Sequence, residues 1–399
     1  MAELKFEKVA PGGSWYWARP KVWKDEEAML LIEVVKEGWV IIADPSIDLD
    51  DSVSKKVEDW LLLAKIERPK KESTAADITK LYGYDIDFNN NPQWPAFNPP
   101  VQVSPGGNPY FERPGVVLLM KPQVNIENAR YFVESFDAVD PKLKFKEYFK
   151  DPMPFSALPP GMALVKFAGQ VCYLSFDPGD SNDKESKGAK RTWNKDAQKY
   201  VDNALGQTPA HGSLIEHPNY SILFYGVSRS FSHELVRHRA GAGYSQTSQR
   251  FVDGRKLRFV CRPEYQADQI LMMRFQKRID HLATEYDETA DYLRDKQAGP
   301  DAGLLSGEKR VELKKKVQQC ARSALPNETE APIVVTGNAR AIRHMIEMRA
   351  NPAAEIEIRG AFARVAHIMK LVEPQLFNDH KIVALPDGTM GVETPWRKV

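Results

Sequence analysis

The sequence predicts an α+β protein whose C-terminal part is mostly helical. Apolar side chains recur at helical spacing from Gln266 to Lys296, which indicates one long amphipathic helix. A short apolar run such as Tyr220–Val227 is typical of a buried strand. Six of the eight tryptophans and none of the eight histidines lie before residue 151, so the chain changes character there. We therefore predict an N-terminal α/β region at 1–150, a linker at 151–160 and a second domain at 161–399.

The N-terminal region carries a few local signals. Asp25–Lys36 begins with acidic residues and stops before Gly38, which predicts a helix. Trp39–Ala43 and Val116–Met120 are short apolar runs that predict buried strands. Pro92–Pro122 is rich in proline, and we expect it to be irregular. A packed appendage to the second domain is favoured over a peptide-binding or nucleic-acid-binding surface.

The second domain follows the proline-rich segment Pro152–Pro160 and reads as a series of helices around a strand. Polar Asp177–Thr192 predicts an exposed loop. The remaining expected elements are a strand at Tyr220–Val227, a helix through Glu234–His238, a long helix at Gln266–Lys296, a helix from a Ser306 cap to near Pro326, and two helices at Asn338–Arg349 and Ala353–Val372.

Composition and charge exclude several classes of protein. Lys and Arg number 55 against 54 Asp and Glu, so the net charge of +1 fits neither a histone-like protein nor an acidic tail. No apolar run approaches the roughly 18–20 residues of a membrane span. The first residues lack the apolar core of a signal peptide. Cys172, Cys261 and Cys320 have no metal-ligand spacing, so we expect reduced thiols, no metal site and a cytoplasmic protein.

The densest group of chemically active residues is Arg237–His238–Arg239. The small residues of Ala240–Gly243 follow, and they allow backbone N–H groups to approach a ligand closely. Gln246 and Ser248 then add neutral hydrogen-bonding groups, and Arg250 adds another planar fork. This combination suits an anion with several oxygens, such as a phosphate. The alternative is a solvated basic helix end.

Two further clusters flank this one. In the first, His211–Gly212–Ser213 precedes Glu216–His217, but the zinc-peptidase pattern HExxH is absent, so a capping or cofactor-contacting loop is favoured over zinc. The second contains arginines beside an apolar helix face, which usually have a partner in a ligand or in the protein. For Arg349 the protein partners considered are Glu347 and Glu355. The members of this second cluster are Asn338, Arg340, His344 and Arg349.

Taken together, these ordered motifs resemble the flavin-dependent thymidylate synthases. That family is marked by Arg-His-Arg, seven residues and Ser, whereas here eight residues separate Arg239 from Ser248. The segment Tyr244–Arg250 still reads YSQTSQR, which places the extra residue in Ala240–Gly243. The other similar segments are His211–His217, Ala321–Pro326, Asn338–Arg340 with Met348–Arg349, and Val171–Tyr173, which resembles an early strand with Cys172 in place of serine.

The resemblance implies an α+β domain with a small antiparallel sheet that assembles as a homotetramer. It also implies methylation of dUMP to dTMP, with methylene-tetrahydrofolate as one-carbon donor, FAD as mediator and NADPH as reductant. The family uses no cysteine nucleophile, in agreement with cysteines that lie outside the basic motifs. Nucleic acid and membrane are not expected partners.

Site roles carry over position by position. Arg349 is the expected catalytic residue, set against the pyrimidine carbonyl. The residues assigned to substrate are Glu234, Gln246, Ser248, Arg250, Arg322 and Arg349. The residues assigned to FAD are His211, Ser213, Arg237, His238, Arg239, Asn338, Arg340 and His344.

Two departures from the family pattern leave alternatives open, namely the extra residue in Ala240–Gly243 and Cys172. One alternative is a flavoenzyme of the same fold that adds a methyl or hydroxymethyl group to another pyrimidine nucleotide. The other is a catalytically silent relative that acts as a binding module. Arg322 and Arg349 argue against the silent relative, because it would need neither.

Overall fold

The computed structural model describes residues 94–150, 158–179, 211–299 and 307–396, the single residues 193, 200 and 205, and the backbone of four strands before residue 94. The chain divides into two compact units, 1–81 with 382–391 and 82–381 with 392–399. None of the described helices is both long and apolar enough to cross a membrane.

The first unit contains a four-stranded antiparallel sheet in the order β3–β2–β1–β4. Its strands are β1 (Ser14–Pro20), β2 (Leu30–Val34), β3 (Val40–Ile42) and β4 (Trp60–Ile66). The strand predicted at Trp39–Ala43 is therefore confirmed. The helix predicted at Asp25–Lys36 is wrong, because β2 occupies its centre and pairs with strands on both sides. Ile32 and Val34 are β-branched and favour that extended conformation.

The remaining strands are β5 (Ala96–Phe97), β6 (Gln102–Val103), β7 (Pro109–Phe111), β8 (Gly115–Met120), β9 (Asn219–Tyr225), β10 (Ala242–Gln246), β11 (Phe259–Val260), β12 (Ile333–Asn338), β13 (Lys381–Ala384) and β14 (Met390–Glu393). The strands at Val116–Met120 and Tyr220–Val227 are confirmed by β8 and β9. Pro92–Pro122 is not irregular throughout, since it contains β5 to β8.

The helices are α1 (Arg130–Val139), α2 (Phe145–Tyr148), α3 (Pro160–Tyr173), α4 (Arg229–Leu235), α5 (Pro263–Gln266), α6 (Gln269–Ala298), α7 (Gly307–Ala321), α8 (Ala339–Arg349), α9 (Ile356–Val372) and α10 (Pro374–Phe377). The long helix and the two C-terminal helices are thus confirmed within three residues at each end. Ser306, most of the linker and most of the predicted loop at Asp177–Thr192 lie outside the described residues.

The resemblance also placed Val171–Tyr173 on a strand, and that expectation is wrong. These residues form the last turn of α3. Pro160 starts the helix in its first turn, where a missing N–H costs nothing. The buried Glu373 carboxylate accepts hydrogen bonds from the N–H groups of Gly161 (2.8 Å) and Met162 (3.0 Å). Leu174, in the left-handed conformation with φ of 48°, ends the helix.

A five-stranded antiparallel sheet positions the site. Its order is β10–β12–β9–β8–β5, so strands from distant parts of the chain lie side by side. Apolar rings join this sheet to α4 and α9: Phe224 lies 5.4 Å from Phe231 and 5.5 Å from Phe362, measured between ring centroids. The two helices therefore pack on the central strand β9.

The predicted boundary at residue 150 would separate β8 from β9, and this leads to a truncation prediction. We expect a chain that starts at Phe155 to aggregate, because it exposes an edge of β9 and lacks Phe97, Val116 and Leu118, each at most 3% exposed. Burying each such side chain contributes about 1.5–3 kcal/mol. Three of them approach the whole stability of a domain, about 5–15 kcal/mol.

The control for the truncation is a chain that starts at Tyr82 and retains the whole of 82–381. Size-exclusion chromatography and circular dichroism on both chains show whether each one is monodisperse and folded. A monodisperse, helical protein starting at Phe155 would show that β5 to β8 are dispensable.

Candidate active site

Helix α4 leads directly into the Arg-His-Arg group. Ser228 caps the helix, since its hydroxyl accepts a hydrogen bond from the N–H of Phe231 at 3.1 Å. The helix ends at Leu235, three residues earlier than predicted. Arg237–His238–Arg239 therefore lies in the turn that follows. Arg237 and Arg239 are exposed and form no ion pair with the described residues, whereas His238 is half-buried.

Arg349 joins the end of α8 to this turn. Its Nε donates to His238 Nε2 at 2.8 Å. Its Nη1 donates to a Glu234 carboxylate oxygen at 2.7 Å, and its Nη2 donates to the Glu234 carbonyl at 3.0 Å. The partners considered from the sequence, Glu347 and Glu355, are wrong, because the carboxylate bound to Arg349 is that of Glu234, and Glu355 binds Arg262. These three bonds leave two of the five guanidinium N–H groups unused by the described residues.

His238 is held in its neutral form. Burial, the Arg349 charge and His344 together lower the pKa of His238 to about 4. The rings of His238 and His344 meet edge to face, with centroids 5.5 Å apart. Because Nε2 accepts a hydrogen bond from Arg349, the imidazole proton resides on Nδ1.

This environment predicts a pH effect on stability. The unfolded chain takes up a proton at His238 below its ordinary pKa near 6.5, while the folded chain does not until about pH 4. The folded state therefore loses stability at this residue as the pH falls from about 6.5 to about 4. We expect His238→Asn to reduce that slope in urea unfolding curves recorded from pH 7 to 4.5. An unchanged slope would contradict a neutral, buried His238.

The loop that contains the extra residue closes over α8. Gly241 has φ of 67°, and a Cβ atom there would lie 2.8 Å from the Asn338 side-chain nitrogen, so this position requires glycine. The Asn338 N–H donates to the Gly241 carbonyl at 3.2 Å. On the next strand, the Tyr244 hydroxyl donates to the His238 carbonyl, and burial raises the pKa of Tyr244 to about 12. The extra residue is thus accommodated without loss of the strand β10.

A first cleft of about 580 Å³ opens beside this loop. Arg340 lies in it and forms an ion pair with Glu216, with Nη1 2.5 Å from the carboxylate. Asn338 caps α8, and its Oδ1 accepts a hydrogen bond from the Ala341 N–H at 2.8 Å. The lining residues are Glu216, Ala240, Gly241, Asn338, Arg340, Ala341 and His344.

The segment that follows His211 also borders the first cleft, through Glu216. A 3₁₀ helix at Gly212–Glu216 carries exposed Ser213 and follows exposed His211. The guanidinium carbon of Arg340 lies 3.1 Å from where a Cβ of Gly212 would stand, so a larger residue at this position would crowd this arginine. The structure therefore brings together three predicted groups that are far apart in sequence: the His211 loop, the residues after Arg239, and the start of α8.

A second cleft, of about 680 Å³, holds Arg322. Sequence reasoning missed several of its other polar residues. Arg229 and His233 carried a usable signal, because a spacing of four places them on one face of α4. The polar lining comprises Arg229, Ser230, His233, Gln249, Gln319, Arg322, Ser323 and Asn327.

The remaining predicted substrate residues lie beside this second cleft. Gln246 donates to the Ser232 hydroxyl at 2.7 Å. Arg250 lies against the Gln319 side-chain amide, and with the amide turned so that its oxygen faces the guanidinium, that oxygen accepts from Nε (2.7 Å) and Nη2 (2.9 Å). Ser248 accepts a hydrogen bond from the Arg250 N–H at 3.3 Å. Glu234 follows His233 of the second cleft on α4 and binds Arg349, while the His238 ring meets His344 of the first cleft. The Arg349–Glu234–His238 group therefore adjoins a lining residue of each cleft.

Comparison with known proteins assigns the family. Residues 156–375, more than half of the chain, match the family described as thymidylate synthase complementing protein. The chain belongs to this family. Every predicted site residue lies within the matched region, whereas β5 and β8 precede it, so the five-stranded sheet includes strands from outside the match.

Curated relatives carry the name that the motifs suggested. The flavin-dependent thymidylate synthase of Corynebacterium diphtheriae is 38% identical over 241 residues, 60% of this chain and 87% of the relative. The enzyme of the same name from Mycolicibacterium gilvum is 38% identical over 235 residues, 59% of this chain and 86% of the relative. A crystal structure of the Helicobacter pylori enzyme ThyX with FAD and dUMP is 16% identical, covers 55% of this chain and 94% of its own, and has a TM-score of 0.37. The predicted family resemblance is confirmed.

Proposed function

We propose that this protein methylates dUMP to dTMP, with FAD as cofactor, methylene-tetrahydrofolate as one-carbon donor and NADPH as reductant. Family membership and the name shared by its relatives support the proposal. The observation that carries it is the Arg349–Glu234–His238 group, which adjoins His344 of a cleft suited to a flavin and His233 of a cleft suited to a nucleotide. FAD supplies the redox and transfer chemistry when it is bound.

The residues around the first cleft fit FAD. Its volume lies within the roughly 300–1,000 Å³ of ordinary small-molecule sites. Exposed Arg237 and Arg239 suit the diphosphate, because guanidinium forks match phosphate oxygens and these two have no carboxylate partner among the described residues. Asn338, Arg340 and His344 are assigned to hold the cofactor from α8 and its cap, and His211 with Ser213 from the segment that contributes Glu216 to the cleft.

The second cleft fits the nucleotide. Arg322 and Arg250 are assigned to its phosphate, supported by Gln246 and Ser248. Arg349 faces the pyrimidine carbonyl with the N–H groups that Glu234 and His238 leave unused. Negative charge grows on this carbonyl as the ring carbon becomes a nucleophile, and a fixed cation stabilises that charge most in the transition state. We assign Glu234 to hold Arg349 in place for this role.

A direct assay tests the proposal. Purified protein is incubated with FAD, NADPH, methylene-tetrahydrofolate and one of dUMP, UMP or dCMP, and the products are identified by mass. Formation of dTMP from dUMP is the expected result. A methylated or hydroxymethylated product from UMP or dCMP would assign another pyrimidine, and a protein that binds no flavin and forms no product would be the silent relative.

Three further assignments belong to this proposal. The catalytic domain comprises 161–399 together with β5 to β8. The protein forms a homotetramer, which sedimentation velocity at several concentrations tests. It acts in the cytoplasm, where its nucleotide and folate substrates are found.

A further inference from the structure

Two buried carboxylates hold the turn that leads from β9 into α4. Glu330 accepts a hydrogen bond from the Gly226 N–H at 2.6 Å. Glu357, from α9, accepts one from the Ser228 N–H at 2.6 Å and a second from the Ser228 hydroxyl at 2.7 Å. Both glutamates are 3% exposed, and both lie more than 100 residues after the turn in sequence.

The two carboxylates differ in how their charge is compensated. Glu330 forms a two-point ion pair with Arg258, with bonds of 2.6 and 2.9 Å. Both oxygens of Glu357 are instead occupied by Ser228, and burial raises the pKa of Glu357 to about 7. Burying a carboxylate this way costs stability that an apolar residue would not cost. The contribution of Glu357 is therefore geometric: it fixes the position and orientation of Ser228.

Ser228 links the Glu357 carboxylate to helix α4 and so to the candidate active site. Its hydroxyl caps α4, which is only seven residues long and so takes its direction from its ends. Arg229 and His233 of this helix line the second cleft, and Glu234 holds Arg349. A small rotation of α4 displaces all three side chains at once. The first cleft is lined instead by residues of a different helix, α8.

We propose that Glu357 is a positioning residue for the nucleotide side of the site, acting through Ser228 on α4. The inference rests on the proposed function for its link to turnover. It predicts that Glu357→Gln keeps FAD bound, with an unchanged flavin absorbance, and lowers kcat/KM for dUMP about tenfold or more. Glutamine removes the carboxylate that accepts from both the N–H and the hydroxyl of Ser228.

Glu373 offers a matched control. It is also buried, also accepts two hydrogen bonds at the start of a helix, and its pKa is also raised to about 7 by burial. The helix that it caps, α3, carries none of the assigned site residues. Glu373→Gln should lower the melting temperature as Glu357→Gln does, yet keep kcat/KM within about twofold of the wild type. Ser228→Ala is a second variant in case Glu357→Gln does not fold, and it should reproduce the loss in kcat/KM.

Hydrogen exchange separates this inference from the proposed function. Amides 229–239 should exchange faster in Glu357→Gln than in Glu373→Gln, and the affinity for dUMP should fall in the first variant only. The exchange measurement remains decisive even if the wild type neither binds dUMP nor makes dTMP, a result that would defeat the proposed function alone. Equal exchange, equal dUMP affinity and equal turnover in the two variants would overturn the role of Glu357.

Discussion

Replacing Arg349 with lysine is expected to slow dUMP methylation about 100-fold or more while FAD binding and NADPH oxidation persist. Lysine keeps the charge but loses the planar fork. It cannot bind His238 Nε2, the Glu234 carboxylate and the Glu234 backbone carbonyl in the geometry of the guanidinium. The cation that faces the pyrimidine carbonyl would then be neither fixed nor correctly placed. The measurement compares dTMP formation with NADPH oxidation and melting temperature on one preparation.

Glu347→Gln is the control for the Arg349 variant. Glu347 lies on the same helix and was a partner considered from the sequence, but Arg349 binds Glu234 instead. Its replacement should leave methylation within about twofold of the wild type. If Arg349→Lys lowers the melting temperature but retains near-normal turnover per folded molecule, Arg349 is a structural residue and leaves the catalytic assignment.

Replacing both Arg237 and Arg239 with alanine is expected to give a folded but colourless protein. Each charge-assisted contact with the cofactor phosphates contributes about 1.5–3 kcal/mol. Losing two should weaken FAD binding by about 3 kcal/mol or more, roughly 100-fold or more in Kd. Both side chains are exposed and form no ion pair with the described residues, so the fold should not suffer. Absorbance at flavin wavelengths and titration with FAD measure the effect.

The control is the double variant Arg255→Ala, Arg294→Ala, which removes the same number of positive charges as the change at Arg237 and Arg239. These arginines are partly exposed and bind Asp287 and Asp291 on α6, neither of which is an assigned site residue. Surface pairs of this kind contribute little to stability. The control should remain yellow, which separates a specific contact from a general loss of positive charge. Full FAD occupancy after removal of Arg237 and Arg239 would reject their assignment to the cofactor.

Local signals explain which elements could be predicted. Helix α6 follows from apolar residues at helical spacing, and its Asp268 cap accepts hydrogen bonds from the N–H groups of Ile270 and Leu271. Helix α8 follows from its Asn338 cap in the same way. The local signal fails where pairing with strands distant in sequence determines the conformation of a segment. Asp25–Lys36 has helix-like ends, yet its centre is a strand with neighbours on both sides.

The sequence by itself determined the family, the long helices and which residue types gather in the motifs, because each depends on residues near one another in the chain. Only the tertiary structure decided that Arg349 pairs with Glu234, 115 residues away, that β8 lies beside β9, and that Glu357 holds Ser228. Such contacts satisfy charges and backbone groups buried by packing. The partner that satisfies each group is set by the arrangement of the whole sheet and its helices, and no local pattern specifies it.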